Sequence, residues 1–204
     1  MDLSFSELKD LIFNASLGSN LPAGISEDLA FAVTFLESRS LPGGKEFLNC
    51  LRCERHLPLL PKKKDLSLIF TDTRAVFEGV SAIDFLVSEV CESVILKNID
   101  SSMLLVGLAS NYLGTNFSFY SHKEIYAGLF NDEINWKIEN YRNINDVEIR
   151  LNHSKLESPL AKCDRVFLED NIFKELTSLA SNMLVPENEI SRATGAGAGN
   201  IDND

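Results

Sequence analysis

Hydrophobic residues recur every three or four positions through the first fifty residues, which is the spacing of amphipathic helices. The first predicted helix presents one apolar face, formed by Phe5, Leu8, Ile12 and Ala15. Ser4 and Glu7 stand three positions apart in front of this face and form a capping box. The pattern therefore predicts that the chain opens with a helix that begins just after Ser4.

Two further helices are predicted in the same region. Ser26 is expected to cap the second one, with acidic residues in its first turn and a stripe formed by Leu29, Val33 and Leu36. A shorter third helix carries Phe47, Leu48 and Leu51. Three such helices can pack their apolar faces together, so residues 1–55 are predicted to form a helical N-terminal part.

After residue 116 the spacing changes to the alternation that is typical of strands. Residues 134–138 and 147–151 alternate with period two, which predicts an antiparallel meander. Between the two halves, residues 81–92 and the apolar stretch 103–113 read as helices, and a last helix is expected near Asp170. Helices that gather first and strands that follow predict the α+β class.

The domain organisation follows from these elements. Residues 1–194 are predicted to form a single α+β domain, and residues 195–204 a separate Gly-Ala-rich acidic tail. Residues 56–66 contain two prolines and the basic run 62–64, which we interpret as a solvated loop.

Charge excludes two classes of partner. The net charge is −11, from 30 acidic and 19 basic side chains, whereas nucleic acids and anionic membranes require a clustered positive surface. The N-terminus lacks a signal-peptide pattern, and the longest apolar stretch, residues 103–109, is too short to span a bilayer. We expect a cytoplasmic protein with reduced cysteines and no contact with nucleic acid or membrane.

The C-terminal tail is the most distinctive segment. Its candidate ligand- or partner-binding residues are Arg192, Gly195, Gly197, Gly199, Asp202 and Asp204. The glycine N–H groups could form an anion-binding nest, the carboxylates could bind a cation or an amine, and the same composition is also typical of a disordered end. We predict that the tail docks in a groove of its own subunit or of a partner's, in a ligand-binding or accessory protein with a small-molecule or protein partner. If the tail docks on a second copy of the chain, the protein is a homo-oligomer.

Cys50, Cys53 and His56 have a spacing that could supply three zinc ligands. No second ligand cluster follows them, and both cysteines also fit the apolar face of the third helix. A redox pair would instead stand at a strand-to-helix junction. We interpret the cysteines as core residues and predict no metal or other cofactor.

Asp84 and His122 are the candidate catalytic residues. Asp84 stands between apolar residues of a predicted helix, where burial would raise its pKa, and His122 lies in a loop beside a strand. The alternative function is therefore a metal-independent small-molecule enzyme with its pocket between the helical half and the meander. No nucleophile or phosphate-binding motif accompanies these residues.

Several segments resemble a bacterial family known only as a domain of unknown function. These segments are residues 3–8, 24–30 and 41–43, and the ending with Val185-Pro186, Ser191-Arg192, 195–199 and 202–204. The resemblance implies a bacterial cytosolic protein whose tail belongs to the domain, and it implies no activity, cofactor or catalytic residue. The first two helices are also similar to the start of the type 2 malate/lactate dehydrogenases. That family has a Ser-His-Gly segment where this chain has Pro42-Gly43-Gly44.

Overall fold

The computed structural model describes residues 1–52, 59–131, 133–137, 144–151 and 159–183. Cys53, His56 and the tail predictions therefore lie outside the described residues. The helices are α1 (Phe5–Gly18), α2 (Ala23–Glu37), α3 (Gly43–Leu51), α4 (Val80–Val87), α5 (Ser102–Ala109) and α6 (Asp170–Ser181), with a π-helical turn (Ala75–Gly79) directly before α4. The strands are β1 (Asp2–Leu3), β2 (Lys62–Lys64), β3 (Ser67–Phe70), β4 (Ser93–Leu96), β5 (Phe117–Ser121), β6 (Glu124–Phe130), β7 (Glu133–Trp136), β8 (Val147–Leu151) and β9 (Val166–Phe167).

Seven of these strands form one mixed sheet in the order β2-β3-β4-β8-β5-β6-β7. The neighbours β5, β6 and β7 pair antiparallel, as the predicted meander requires. The pair β3–β4 is parallel, and the π-helical turn and α4 make the crossover between these two strands. The predicted α+β class is confirmed, with one parallel pair inside an otherwise antiparallel sheet.

Helices cover one face of this sheet in two layers. Helix α4 packs on β4 and β8, and α5 packs on β6. Helix α2 lies on the far side of α5, and α1 lies between α2 and α6. Inward-facing strand residues such as Val94, Phe119 and Ile149 are fully buried beneath the helices. None of the helices within the described ranges is long and apolar enough to cross a membrane.

The predicted stripe of α2 is buried as expected, and so is that of α1 except for Phe5, which is half-buried. Leu8, Ile12 and Ala15 of α1 are inaccessible to solvent, and so are the three stripe residues of α2. The predicted capping box is also present, because Ser4 Oγ accepts a hydrogen bond from the Glu7 N–H while the Glu7 carboxylate accepts one from the Ser4 N–H. The buried stripes show that tertiary packing follows the period of 3.6 residues.

Four local predictions were wrong. One concerns the helix predicted over 103–113, because α5 ends at Ala109 and Leu113 is exposed. Helix α2 begins at Ala23 after Pro22, and Ser26 is a buried helical residue whose hydroxyl donates to the Pro22 carbonyl oxygen. The run Lys62–Lys64 is an exposed edge strand, a position where lysines prevent further strand pairing. Helix α4 ends at Val87 because Glu89 adopts a left-handed φ of 57°, which L-residues rarely continue into a helix.

Glu37, at the end of α2, makes folding stability depend on pH. Its Oε1 accepts a hydrogen bond of 2.8 Å from the Gly44 N–H, but burial outweighs this bond and raises the pKa of Glu37 from 4.5 to about 7, with the Glu169 carboxylate acting in the same direction. The native state then holds a proton that the unfolded chain releases. The free energy of unfolding should fall by roughly 3 kcal/mol as the pH rises from below 4.5 to above 7.

Denaturant unfolding of the wild type and of Glu37→Gln at pH 5 and pH 8 measures this effect. The glutamine variant carries no titrating group at this position, so most of the difference between the two pH values should disappear. If the free energy of unfolding falls equally in both proteins between pH 5 and pH 8, Glu37 is not the group responsible for the pH dependence.

Candidate functional site

A groove of about 530 Å³ opens between the start of α1, the outer face of α2 and the chain that follows α5. We call it the aromatic groove, because its apolar walls are formed by Phe5, Phe31, Phe35 and Leu113. Phe31 and Leu113 are 51% and 77% exposed, so the groove presents apolar surface to solvent. Its volume lies within the range of sites that hold small organic molecules.

A cation stands over each of the three aromatic rings. Lys9 Nζ lies 3.5 Å from the Phe31 ring centroid, Arg39 Cζ lies 4.0 Å from that of Phe35, and Lys162 Nζ lies 5.5 Å from that of Phe5. Arg39 also donates to Ser38 Oγ at 2.5 Å. Cation–π contact orients the side chains, so positive charge is concentrated around an apolar groove on a strongly acidic protein.

The polar wall of the groove is formed by Asp28 and Asn111. The Asn111 side-chain amide donates to the backbone oxygen of Asp28 at 3.1 Å and to its carboxylate at 3.3 Å. Burial, followed by the charge of Asp84, raises the pKa of Asp28. Asp28 therefore takes up a proton, and loses its negative charge, at a higher pH than an exposed aspartate does.

Asp84, a candidate catalytic residue, is exposed on α4 and accepts a hydrogen bond from the Tyr112 hydroxyl. Burial, and then this carboxylate, raise the pKa of Tyr112, so the phenol remains a hydrogen-bond donor. Tyr112 directly follows Asn111 of the groove wall. The structure thus places Asp84 next to the aromatic groove rather than between the helical half and the sheet.

His122, the other catalytic candidate, is exposed in the turn that joins β5 to β6. His122 and Lys123 both adopt left-handed φ values, 50° and 69°, as the two central residues of a type I′ hairpin turn do. His122 lines neither the aromatic groove nor the smaller cavity described below. The structure does not bring it together with Asp84 in either cavity.

Cys50 is the one member of the predicted zinc or redox motif that lies within the described residues. It is fully buried, and burial together with the nearby Asp100 and Glu46 carboxylates raises the pKa of its thiol. This placement agrees with the interpretation of Cys50 as a core residue. In the described parts of the chain, no three His, Cys, Asp or Glu side chains cluster in a way that could hold a metal ion.

A buried polar network stands where α3, the π-helical turn and the start of α5 meet. Arg74, only 4% exposed, donates from Nε to Asp100 Oδ2 at 2.5 Å and from Nη2 to the Cys50 carbonyl oxygen. Asp100 Oδ1 accepts from the Ala75 N–H at 2.8 Å. Glu78, in the π-helical turn, accepts from the Arg74 N–H at 2.7 Å and is 1% exposed.

The same network borders a polar cavity of about 230 Å³. Ser101 caps α5 by accepting from the Leu104 N–H at 3.1 Å, and its hydroxyl donates to Glu46 Oε2 at 2.8 Å. We call this cavity the polar cleft; its polar lining residues are Glu46, Asn49, Asp100, Ser101, Ser102 and Asn145. This cavity is lined by α3, by residues 99–102 at the start of α5 and by residues 144–145 just before β8.

Sequence reasoning missed both cavities, although each has a signal in the chain. Phe31 and Phe35 stand four residues apart on the face of α2 opposite its buried stripe, and exposed aromatic pairs of this kind mark binding surfaces. Glu46 and Arg74 carry no such signal, because single charges spaced this far apart indicate nothing until the fold brings them together.

Comparison with known proteins gives one finding for part of the chain. Residues 3–75 match the model of a family described as a protein of unknown function, DUF3726. This confirms the predicted presence of a domain of unknown function over that segment, which contains α1 to α3, β2 and β3. No curated protein and no solved structure matches the chain.

Proposed function

We propose that the protein is a ligand-binding domain whose aromatic groove takes a small organic acid with an apolar body. The observation that carries this proposal is the groove itself, with an exposed Phe31 in its wall and cations over its rings. Apolar surface supplies most of the binding free energy in such sites, and a few placed charges select the ligand.

Charge complementarity decides which kind of ligand we propose. Lys9, Arg39 and Lys162 surround the rings, whereas Asp28, the carboxylate that the described part of the chain places in the wall, is half-buried and hydrogen-bonded to Asn111. An anionic head group near Lys162 and Arg39 would gain from this arrangement, and a cationic one would be repelled. The ligand therefore pairs an aliphatic or aromatic body with a carboxylate or an equivalent anion.

Titration of the full chain with octanoate and with octylammonium tests this proposal, because both probes have the same apolar body and opposite charges. We expect octanoate to bind roughly tenfold more tightly, a difference of about 1.4 kcal/mol. Lys162→Met should remove much of this preference, and Phe31→Ser should weaken both probes. Lys174→Met, on the exposed side of α6, is the matched control and should bind like the wild type.

Equal affinity for the two probes, or loss of binding in the control alone, would reject the proposal. Calorimetry measures the affinities, and the melting temperature of each variant shows whether it is folded. Phe31 is half-exposed, so its replacement should lower stability by no more than about 1 kcal/mol.

The predicted docking of the C-terminal tail supplies a second occupant for this groove. Asp202 and Asp204 would complement the same cations, and Ile201 would add an apolar contact. Deleting residues 195–204 distinguishes the two occupants. A tail that competes for the groove predicts tighter octanoate binding after the deletion, whereas a tail that binds elsewhere leaves the octanoate affinity unchanged.

The alternative function, a metal-independent enzyme, is favoured by one observation. The Asp84 carboxylate and the Tyr112 phenol form a hydrogen-bonded pair directly beside Asn111 of the groove, so a proton donor stands near any bound ligand. Prolonged incubation of a bound acid, followed by NMR of the ligand, separates binding from conversion. Turnover that Asp84→Asn abolishes would support the enzyme.

A further inference from the structure

The aromatic groove has two chemically different ends. Asp28, Phe31, Phe35 and Arg39 follow one another at helical spacing along the outer face of α2 and just beyond its end, and all four line the groove. The carboxylate therefore stands at one end of this row and the guanidinium at the other, with the two aromatic rings between them. A ligand that lies along α2 meets a different polar group at each end.

The acidic end is formed by Asp28 and the chain that follows α5. The Asn111 amide donates to Asp28 Oδ1 at 3.3 Å, which holds the carboxylate in the groove wall. Asp28 Oδ2 accepts no hydrogen bond within the described residues, and it is not one of their fully buried side-chain atoms. This end of the groove therefore offers an oriented acceptor that a ligand can reach.

The opposite end carries two cations. The Arg39 guanidinium lies 4.0 Å from the centroid of the Phe35 ring, and the Cys163 N–H donates to the Ser38 carbonyl oxygen at 2.8 Å, which places the neighbouring Lys162 beside the end of α2. Phe35 follows Asp28 by two helical turns, which is roughly 10 Å along the helix axis. An extended chain of about nine bonds spans this distance.

The surroundings of Asp28 favour an uncharged donor over a cationic one. Lys9 Nζ lies 3.5 Å from the centroid of the Phe31 ring, less than one helical turn along α2 from Asp28, so a cationic group there would approach a lysine. Burial, followed by the charges of Asp84 and Glu27, also raises the pKa of Asp28. A hydroxyl suits both protonation states, because it donates to a carboxylate and accepts from a carboxylic acid.

We propose that the ligand of the aromatic groove is an elongated hydroxy acid, whose carboxylate lies beside Arg39 and Lys162 and whose terminal hydroxyl donates to Asp28 Oδ2. This inference rests on the proposed function, from which it takes the anionic head group and the apolar body, and it adds the group at the opposite end. The apolar body lies against Phe31 and Phe35. The groove volume of about 530 Å³ equals that of roughly 18 water molecules, which leaves room for such a chain.

Four related probes isolate the terminal donor: octanoate, ω-hydroxyoctanoate, ω-methoxyoctanoate and ω-aminooctanoate. Each is titrated into the full chain by calorimetry. We expect ω-hydroxyoctanoate to bind roughly tenfold more tightly than ω-methoxyoctanoate, which has the same oxygen without the donor. The methoxy probe should bind no more tightly than octanoate, and the amino probe less tightly than the hydroxy probe.

Asp28→Ala removes the acceptor and should give the hydroxy and methoxy probes equal affinities. Glu27→Ala removes an exposed carboxylate from the same turn of α2 that does not line the groove, so it is the matched control and should keep the tenfold preference. Asp28→Asn keeps a carbonyl acceptor without the charge and should retain a smaller preference. It remains informative if the alanine variant does not fold, which the melting temperatures show.

Equal binding of the hydroxy and methoxy probes to the wild type would overturn the proposal. So would a preference that persists in Asp28→Ala, its loss in Glu27→Ala, or tighter binding of the amino probe than of the hydroxy probe. The proposed function fails by a different result, equal binding of octanoate and octylammonium. If octanoate keeps its advantage over octylammonium while the hydroxyl adds nothing, the organic-acid site stands and the contact with Asp28 is rejected.

Discussion

Arg74→Met should lower the free energy of unfolding by roughly 3 to 5 kcal/mol, the cost of removing one member of a buried ion pair. The Asp100 carboxylate, whose side chain is only 20% exposed, would lose its cation, and the Cys50 carbonyl oxygen would lose its donor. Asp100 retains the hydrogen bond from the Ala75 N–H, which places the expected loss near the lower end of this range.

Arg150→Met is the control for this prediction. Arg150 pairs with Glu148 at 2.6 Å, but its side chain is 54% exposed, so the same substitution should cost no more than about 1 kcal/mol. Denaturant unfolding at one pH measures both variants. Similar losses in the two proteins would mean that burial of the Arg74 network contributes nothing to stability.

Gly18→Ala should destabilise the protein by about 2 to 3 kcal/mol through overpacking. Gly18 ends α1 where this helix crosses α6, and a Cβ at this position would overlap the backbone carbonyl of Leu179. A backbone group cannot move aside as a flexible side chain can. Helices α1 and α6 would therefore have to move apart, and they would lose packing contacts with each other.

Gly24→Ala is the matched substitution in the first turn of α2. A Cβ at Gly24 would meet no atom within 4 Å, and alanine favours the helix over glycine by up to about 1 kcal/mol. The two variants should thus change the melting temperature in opposite directions. A Gly18→Ala protein that melts at or above the wild-type temperature would show that α1 and α6 adapt without loss of packing.

The elements that the sequence predicted well are those whose burial is decided locally. Leu29, Val33 and Leu36 are buried because one face of α2 is apolar at helical spacing, and any packing partner would cover that face. The edge strand Lys62–Lys64 could not be recognised, since its pairing depends on β3 rather than on its own exposed lysines.

The two cavities depend even more on the fold. Glu46, Arg74 and Asp100 come from three separate segments of the chain. They come together only because α3 packs near the start of α5, so their spacing in the sequence predicts no site. The exposed Phe31 and the half-buried Phe35 were visible in the sequence, yet Lys9 reaches the Phe31 ring and Lys162 the Phe5 ring only through tertiary packing. Helical period predicts burial, but it does not predict which charges converge.

The parallel pairing of β3 with β4 has a consequence for the segment that matches DUF3726. That segment ends at Ala75, so it contains β3 and Arg74 but neither β4 nor Asp100. Cut out alone, residues 3–75 would expose an unpaired strand edge and an uncompensated guanidinium, two features that promote association with other chains. In this protein the matched segment is therefore completed by β4 and Asp100, which both lie beyond its end.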